Sequence, residues 1–163
     1  MRNKIIVIAI LVFVIAISGC INSDMDSINQ SIPKLNDNIK NGDLNFNLAV
    51  DGLNSNKIAN ANAKIELAIG NFKNAKINIE DIKRTYKNLN NTKYVTYIDL
   101  ISKELEFKTN ATLSLQSAIQ VYSGEKTTFN RYVDNANDYM KNGVAIQMER
   151  YKLVLNNPDL FNQ

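Results

Sequence analysis

Histidine and tryptophan are absent from the 163 residues, and cysteine occurs once, as Cys20. Without histidine the chain lacks the commonest general base, the commonest zinc ligand and the usual serine triad. A lone cysteine cannot close an internal disulfide, so the fold must be held by packing. Prolines number two and glycines six, which leaves few breakers in a long polar–apolar chain and favours helices. Strand-like alternation never extends beyond a few residues, and no fixed-period repeat is present. No glycine-rich phosphate loop and no basic stripe are visible, so neither a nucleotide site nor a nucleic-acid partner is expected. Long apolar runs are reduced to one, residues 5–17, and its 13 residues fall short of the roughly 20 that cross a bilayer as a stable helix.

That short run has a distinctive setting. Arg2 and Lys4 precede it, and it closes on Ile17-Ser18-Gly19-Cys20. Small residues beside a cleavage point mark a signal peptide, but an ordinary one does not need cysteine directly after the cut. The tetrapeptide resembles the lipobox of bacterial and archaeal lipoproteins. The resemblance implies cleavage between Gly19 and Cys20 and a thioether-linked diacylglycerol on Cys20. It also implies membrane lipid as a partner and the extracytoplasmic face of the cell membrane as the location. Two acyl chains give durable anchoring where one does not. The chain then divides into a cleaved leader, 1–19, and one domain, 20–163. Loss of Arg2 and Lys4 leaves 17 Lys plus Arg against 16 Asp plus Glu, a net charge of +1. Ile21, and not an aspartate, follows the cysteine; for a Gram-negative host the resemblance to sorted lipoproteins implies outer-membrane delivery.

Asparagine is abundant, at 26 residues, beside 20 isoleucines and 15 lysines. All three use A/T-rich codons, and the asparagines are dispersed, so genome composition accounts for them better than a low-complexity function. Asn29, Asn90 and Asn110 each begin an N-x-S/T sequon and are candidate N-glycosylation sites, in a number that chance alone supplies in so asparagine-rich a chain.

The periodicity predicts an all-α antiparallel bundle of three long helices and one shorter N-terminal helix. The short helix is expected over about 24–40, with Met25, Ile28, Ile32, Leu35 and Ile39 on one face and Asn41-Gly42 as its stop. Pro33 interrupts that pattern, and 43–56 is ambiguous. Over 58–89, the positions Ile58, Ala61, Ile65, Ala68, Phe72, Ala75, Ile79, Ile82, Tyr86 and Leu89 form a coiled-coil-like seam whose alanines invite close approach. A third helix is expected over 93–122, capped by Thr92, with Tyr94, Ile98, Ile101, Leu105, Leu115, Ile119 and Tyr122 inward. Lys108 and Thr112 fall on that stripe, which predicts a slip to Phe107 and Ala111. A fourth is expected over 125–155, on Phe129, Val133, Ala136, Met140, Val144, Met148, Tyr151 and Leu155.

Chemistry must then come from carboxylates and tyrosines. Glu104 and Glu106 are two apart and point in different directions on a helix. Asp134 and Asp138 share a face and could offer oxygen ligands to calcium, although a solvated helix face accounts for them far better. Tyr97, Tyr132 and Tyr139 fall off or beside the stripes and are the candidate binding surface, for a sugar or a protein partner, although partial burial between helices accounts for them better. No cofactor and no catalytic motif are expected. The sequence points to a membrane-anchored surface lipoprotein whose helical module binds another protein or serves structurally. The alternative is an extracytoplasmic sensor or solute-binding bundle holding a small ligand between helices.

Overall fold

The computed structural model of the chain describes residues 23–85 and 91–161, and among them every regular element is helical. The helices are α1 (Ser23–Asn54), α2 (Ile58–Thr85), α3 (Thr92–Gln120), α4 (Lys126–Leu155) and a short α5 (Pro158–Phe161). The all-α bundle expected from periodicity is therefore present, with four long helices and not three. Tyr86, Leu89 and Asn90, like Gly19 and Cys20, lie outside the described residues.

The extra length comes from α1, which runs through the expected stop at Asn41-Gly42 and absorbs the ambiguous segment. Gly42 is an approach point and not a terminator. A Cβ there would stand 2.5 Å from Cε1 of the Phe72 ring on α2, so the glycine gives the ring its seat. Its helix-propensity cost of about 1 kcal/mol is smaller than the gain from burying a phenylalanine, about 1.5–3 kcal/mol. Pro33 is likewise accommodated within α1. The true end is Asn54. Asn56 takes a positive φ of 58°, Lys57 N–H donates to the Gly52 carbonyl and Asn56 N–H to that of Leu53. This is a Schellman closure, with asparagine tolerating the left-handed position.

Along α2, the residues Ala61, Ile65, Ala68, Phe72, Ala75, Ile79 and Ile82 are all buried, a strict 3-4 seam as expected. It packs antiparallel on α1, Gly52 against Ala61 and Gly42 against Phe72. α3 pairs in the same manner with α4, and α2 packs against α3. The molecule is thus two helical hairpins joined through α2 and α3, with α1 reaching α3 over a short stretch. α3 starts at Asn91, whose Oδ1 accepts from the N–H groups of Lys93 and Tyr94, so the cap lies one residue before the threonine expected for it. At the opposite end the Tyr122 hydroxyl donates to Asn56 Oδ1 across 2.8 Å, tying the two hairpin turns together.

The stripes on α3 and α4 correct the sequence expectation. α3 does not slip at Lys108 and Thr112: both are fully buried, and Phe107 is only partly so. Thr112 meets its hydrogen-bonding need by donating to the Lys108 carbonyl at 2.7 Å. α4 buries Val133, Ala136, Met140, Gly143, Gln147, Arg150 and Val154, a 3-4 seam in place of the expected 4-4 steps. Met148 and Leu155, expected inside, are exposed, and so is Tyr122. On α4 the cause is polar: Gln147 and Arg150 enter the interior with Lys108 and set the register, whereas Tyr122 lies in the turn beyond the end of α3.

Candidate functional site

Where α1, α3 and α4 meet, six side chains, four of them charged, form one ionic chain. Lys108 Nζ donates to Asp43 Oδ2 at 2.7 Å and lies 2.8 Å from Glu104 Oε1. Arg150 Nε donates to the other oxygen of that carboxylate, Glu104 Oε2, at 3.0 Å. The guanidinium also donates to the Tyr97 hydroxyl at 3.4 Å and stands 5.7 Å from the centre of its ring. Gln147 Oε1 accepts from Lys108 Nζ at 3.4 Å. Asp43, Glu104 and Lys108 have no solvent exposure, and Arg150 has 5%.

Helical spacing delivers these groups. Glu104 and Lys108 are four apart on α3 and so share a face. Gln147 and Arg150 are three apart on α4, one above the other on the face turned to α3. Gly143, one turn before Gln147, removes the side chain that would press on the lysine stem: a Cβ there would lie 3.0 Å from Lys108 Cγ.

The four formal charges sum to zero, yet they are not equally satisfied. Burial pushes Glu104 up, but Lys108 and Arg150, one on each oxygen, outweigh it and hold the carboxyl below its ordinary range. Burial likewise pushes Asp43 up, to about 6, and here the single lysine does not fully offset it. Among the described residues Asp43 Oδ1 has no hydrogen-bond donor, and Glu104 Oε1 has only the ammonium of Lys108 beside it, at 2.8 Å. Lys108 and Arg150 are both raised: burial favours their neutral forms, and Glu104 opposes this most strongly in each. Removing an ion from water still costs several kcal/mol after relaxation. Four such groups in one core are therefore a poor route to stability alone.

Tyr97 belongs to this interior. The sequence placed it on a binding surface; it is fully buried, packed on Tyr94 at 6.2 Å and on Phe161 of α5 at 5.2 Å between ring centres. The other two tyrosines of that expected surface do lie together outside. Tyr132, half-buried, and Tyr139, 37% exposed, line a shallow cleft of about 290 Å³ between α4 and α3, with Leu113, Ser114 and Asn135. Asn110, the third sequon asparagine, stands half-buried in the same cleft on the middle of α3. Asn29 lies within α1, with its side chain outside the described set. Asp134 and Asp138 are exposed, and among the described residues no three acidic, cysteine or histidine side chains gather as metal ligands would. Glu104 and Glu106 diverge as expected, one buried and one exposed.

The ionic chain is the feature that sequence reasoning missed. Its signal was Lys108 on an otherwise apolar stripe, four residues after Glu104, together with Gln147 and Arg150 at heptad spacing on the partner helix. Comparison with known proteins found no matching family model, no matching curated protein and no matching solved structure.

Proposed function

We propose that the chain is a surface lipoprotein, held by lipid on Cys20 at the extracytoplasmic face of a bacterial or archaeal membrane, whose bundle is a protein-binding or structural module. The observation that carries the reading is the placement of the only cysteine at the end of Ile17-Ser18-Gly19-Cys20, directly after a charged start and a 13-residue apolar run. α1 is consistent with it: the described helix reaches Ser23, only three positions after Cys20 in the sequence, so little chain separates the bundle from the proposed anchor. No described helix is long and apolar enough to cross a membrane.

The bundle's chemistry fits a module better than an enzyme. Its buried acids and bases are spent on one another, and the space between α1, α3 and α4 is filled by Lys108 and its partners. A small ligand would have to use the surface, where Tyr132, Tyr139 and Leu113 offer amphipathic contact area of the kind that anchors protein partners.

The test is intact mass and membrane partitioning of the natively expressed chain beside Cys20→Ala. A lipidated chain beginning at Cys20, with the variant unprocessed or released, is the expected result. An unmodified chain still carrying Met1 would overturn the anchoring.

A further inference from the structure

An amine and a carboxyl held in contact out of water are the two reactants of an amide bond. Lys108 Nζ and Asp43 Oδ2 are 2.7 Å apart with both side chains essentially inaccessible, and a second carboxylate, Glu104, stands 2.8 Å from the same nitrogen. We propose that Asp43 and Lys108 condense in the folded chain to an intramolecular isopeptide bond that ties α1 to α3, with Glu104 relaying the proton.

The charges favour this outcome. The network holds two anions and two cations, and condensation removes one of each. The Glu104–Arg150 pair remains, 3.0 Å apart, so no charge is stranded. A neutral amide also escapes the desolvation cost that the ion pair carries. The core is dry at this point, which suppresses the hydrolysis that makes amide formation unfavourable in water.

The steps balance without oxidant or cofactor. Lys108 passes one ammonium proton along the 2.7 Å contact to Asp43 Oδ2, which burial inclines toward the neutral acid, and leaves a neutral amine beside a neutral carboxyl. The nitrogen then attacks Cγ of Asp43, forming the C–N bond. Glu104, 2.8 Å from that nitrogen, takes a second proton from it and delivers it to the departing hydroxyl, and the C–O bond breaks. One Asp43 oxygen and two protons of the ammonium leave as water, and the third stays on the amide nitrogen. Positioning supplies the driving geometry: Gly143 lets α4 close on the lysine stem, and Gln147 Oε1 accepts from the same ammonium. Effective molarities of about 10⁵–10⁸ M are reached when reactants are held in this way.

The linkage also fits its place in the fold. α1 meets α3 only over a short stretch, and the bond would join the two hairpins there, 65 residues apart in sequence. The inference rests on the core and is independent of the anchoring.

The experiment is tryptic peptide mapping of the full-length chain, purified in detergent and digested after denaturation. Trypsin does not cut after an acylated lysine. The expected product is a branched peptide joining residues 41–57 to residues 104–126, one water lighter than the two together, with fragmentation placing the branch at Asp43 and Lys108. Residues 41–57 and 104–108 recovered as separate, unmodified peptides would overturn the proposal, as would a branch at any other pair. Glu104→Gln, checked for retained helicity by circular dichroism, is expected to lose the branched peptide. The same peptide at wild-type yield in that variant would overturn the role of Glu104.

Discussion

Gly143 on α4 and Lys108 on α3 approach so closely that a methyl group at 143 would lie 3.0 Å from Lys108 Cγ and 3.5 Å from Phe107 Cβ. The lysine cannot retreat, because its far end is fixed by Asp43, Glu104 and Gln147. Gly143→Ala is therefore expected to destabilise by about 1–3 kcal/mol through overpacking, even though alanine gains about 1 kcal/mol in helix propensity. Gly70, in the interior of α2, supplies the control. Nothing lies within 4 Å of a Cβ built there. Gly70→Ala is expected to stabilise by about 0.5–1 kcal/mol. Urea unfolding of the two variants measures both signs.

Arg150 has a partner in Glu104 whether Lys108 stays free or is consumed. Arg150→Met leaves that carboxylate without its Oε2 donor in a fully buried position and is expected to cost about 3–5 kcal/mol. Adding Glu104→Gln removes the stranded charge, so the double variant should recover most of the loss. A double-mutant cycle by urea unfolding reads the coupling directly. Additive losses would show that the two side chains act independently.

The same pair sets the acid limb of stability. Glu104 is held below its ordinary value by Lys108 and Arg150, against the upward push of burial. A carboxyl lowered in the folded state contributes stability above its unfolded value, and the contribution is lost as pH falls through the folded one. Asp43 acts in the opposite sense while it remains a free acid. Raised by burial from 3.8 to about 6, it contributes stability below about pH 4 that is lost as pH rises through 6. Condensation with Lys108 removes this second group from titration. Wild-type stability is expected to fall below about pH 4.5, and the Glu104→Gln, Arg150→Met double variant should lack that decline. Unfolding midpoints from pH 3 to pH 7 supply the measurement.

These groups also mark where the sequence was legible and where it was not. The seam of α2 reads directly, because Ala61 through Ile82 repeat apolar residues at helical spacing and nothing polar competes. The length of α1 was hidden by Gly42, which signals a stop in isolation; only the Phe72 ring, thirty residues later, shows that it is a seat. On α3 and α4 the apolar rule alone misplaced Lys108, Met148 and Leu155. A charged residue can enter a core when its partners enter with it; Glu104 is within the local window of Lys108, but Asp43 on α1 and Arg150 and Gln147 on α4 are far beyond it. Tyr97 was assigned outward for the same reason: its neighbours, Arg150 and Phe161, come from the far end of the chain. Tyr132 and Tyr139 were legible because seven residues on one exposed helix face bring them together without help from elsewhere.

Phe161 shows how much of the last helix depends on one side chain. α5 is four residues long, too short to persist by its own hydrogen bonds. Its phenylalanine is fully buried, stacked on Tyr94 at 5.7 Å and set against Tyr97 at 5.2 Å between ring centres. Lys93 adds a donor to Asn157 just before α5. Phe161→Ala is expected to cost about 3–5 kcal/mol and to release α5, which amide exchange over residues 159–161 would register. Tyr97→Phe keeps the ring and deletes only the hydroxyl that accepts from Arg150 at 3.4 Å. Its expected cost is about 1 kcal/mol, with α5 still protected. A Tyr97→Phe loss as large as that of Phe161→Ala would mean that the hydroxyl, and not the aromatic stack, secures the end of the chain to the ionic core.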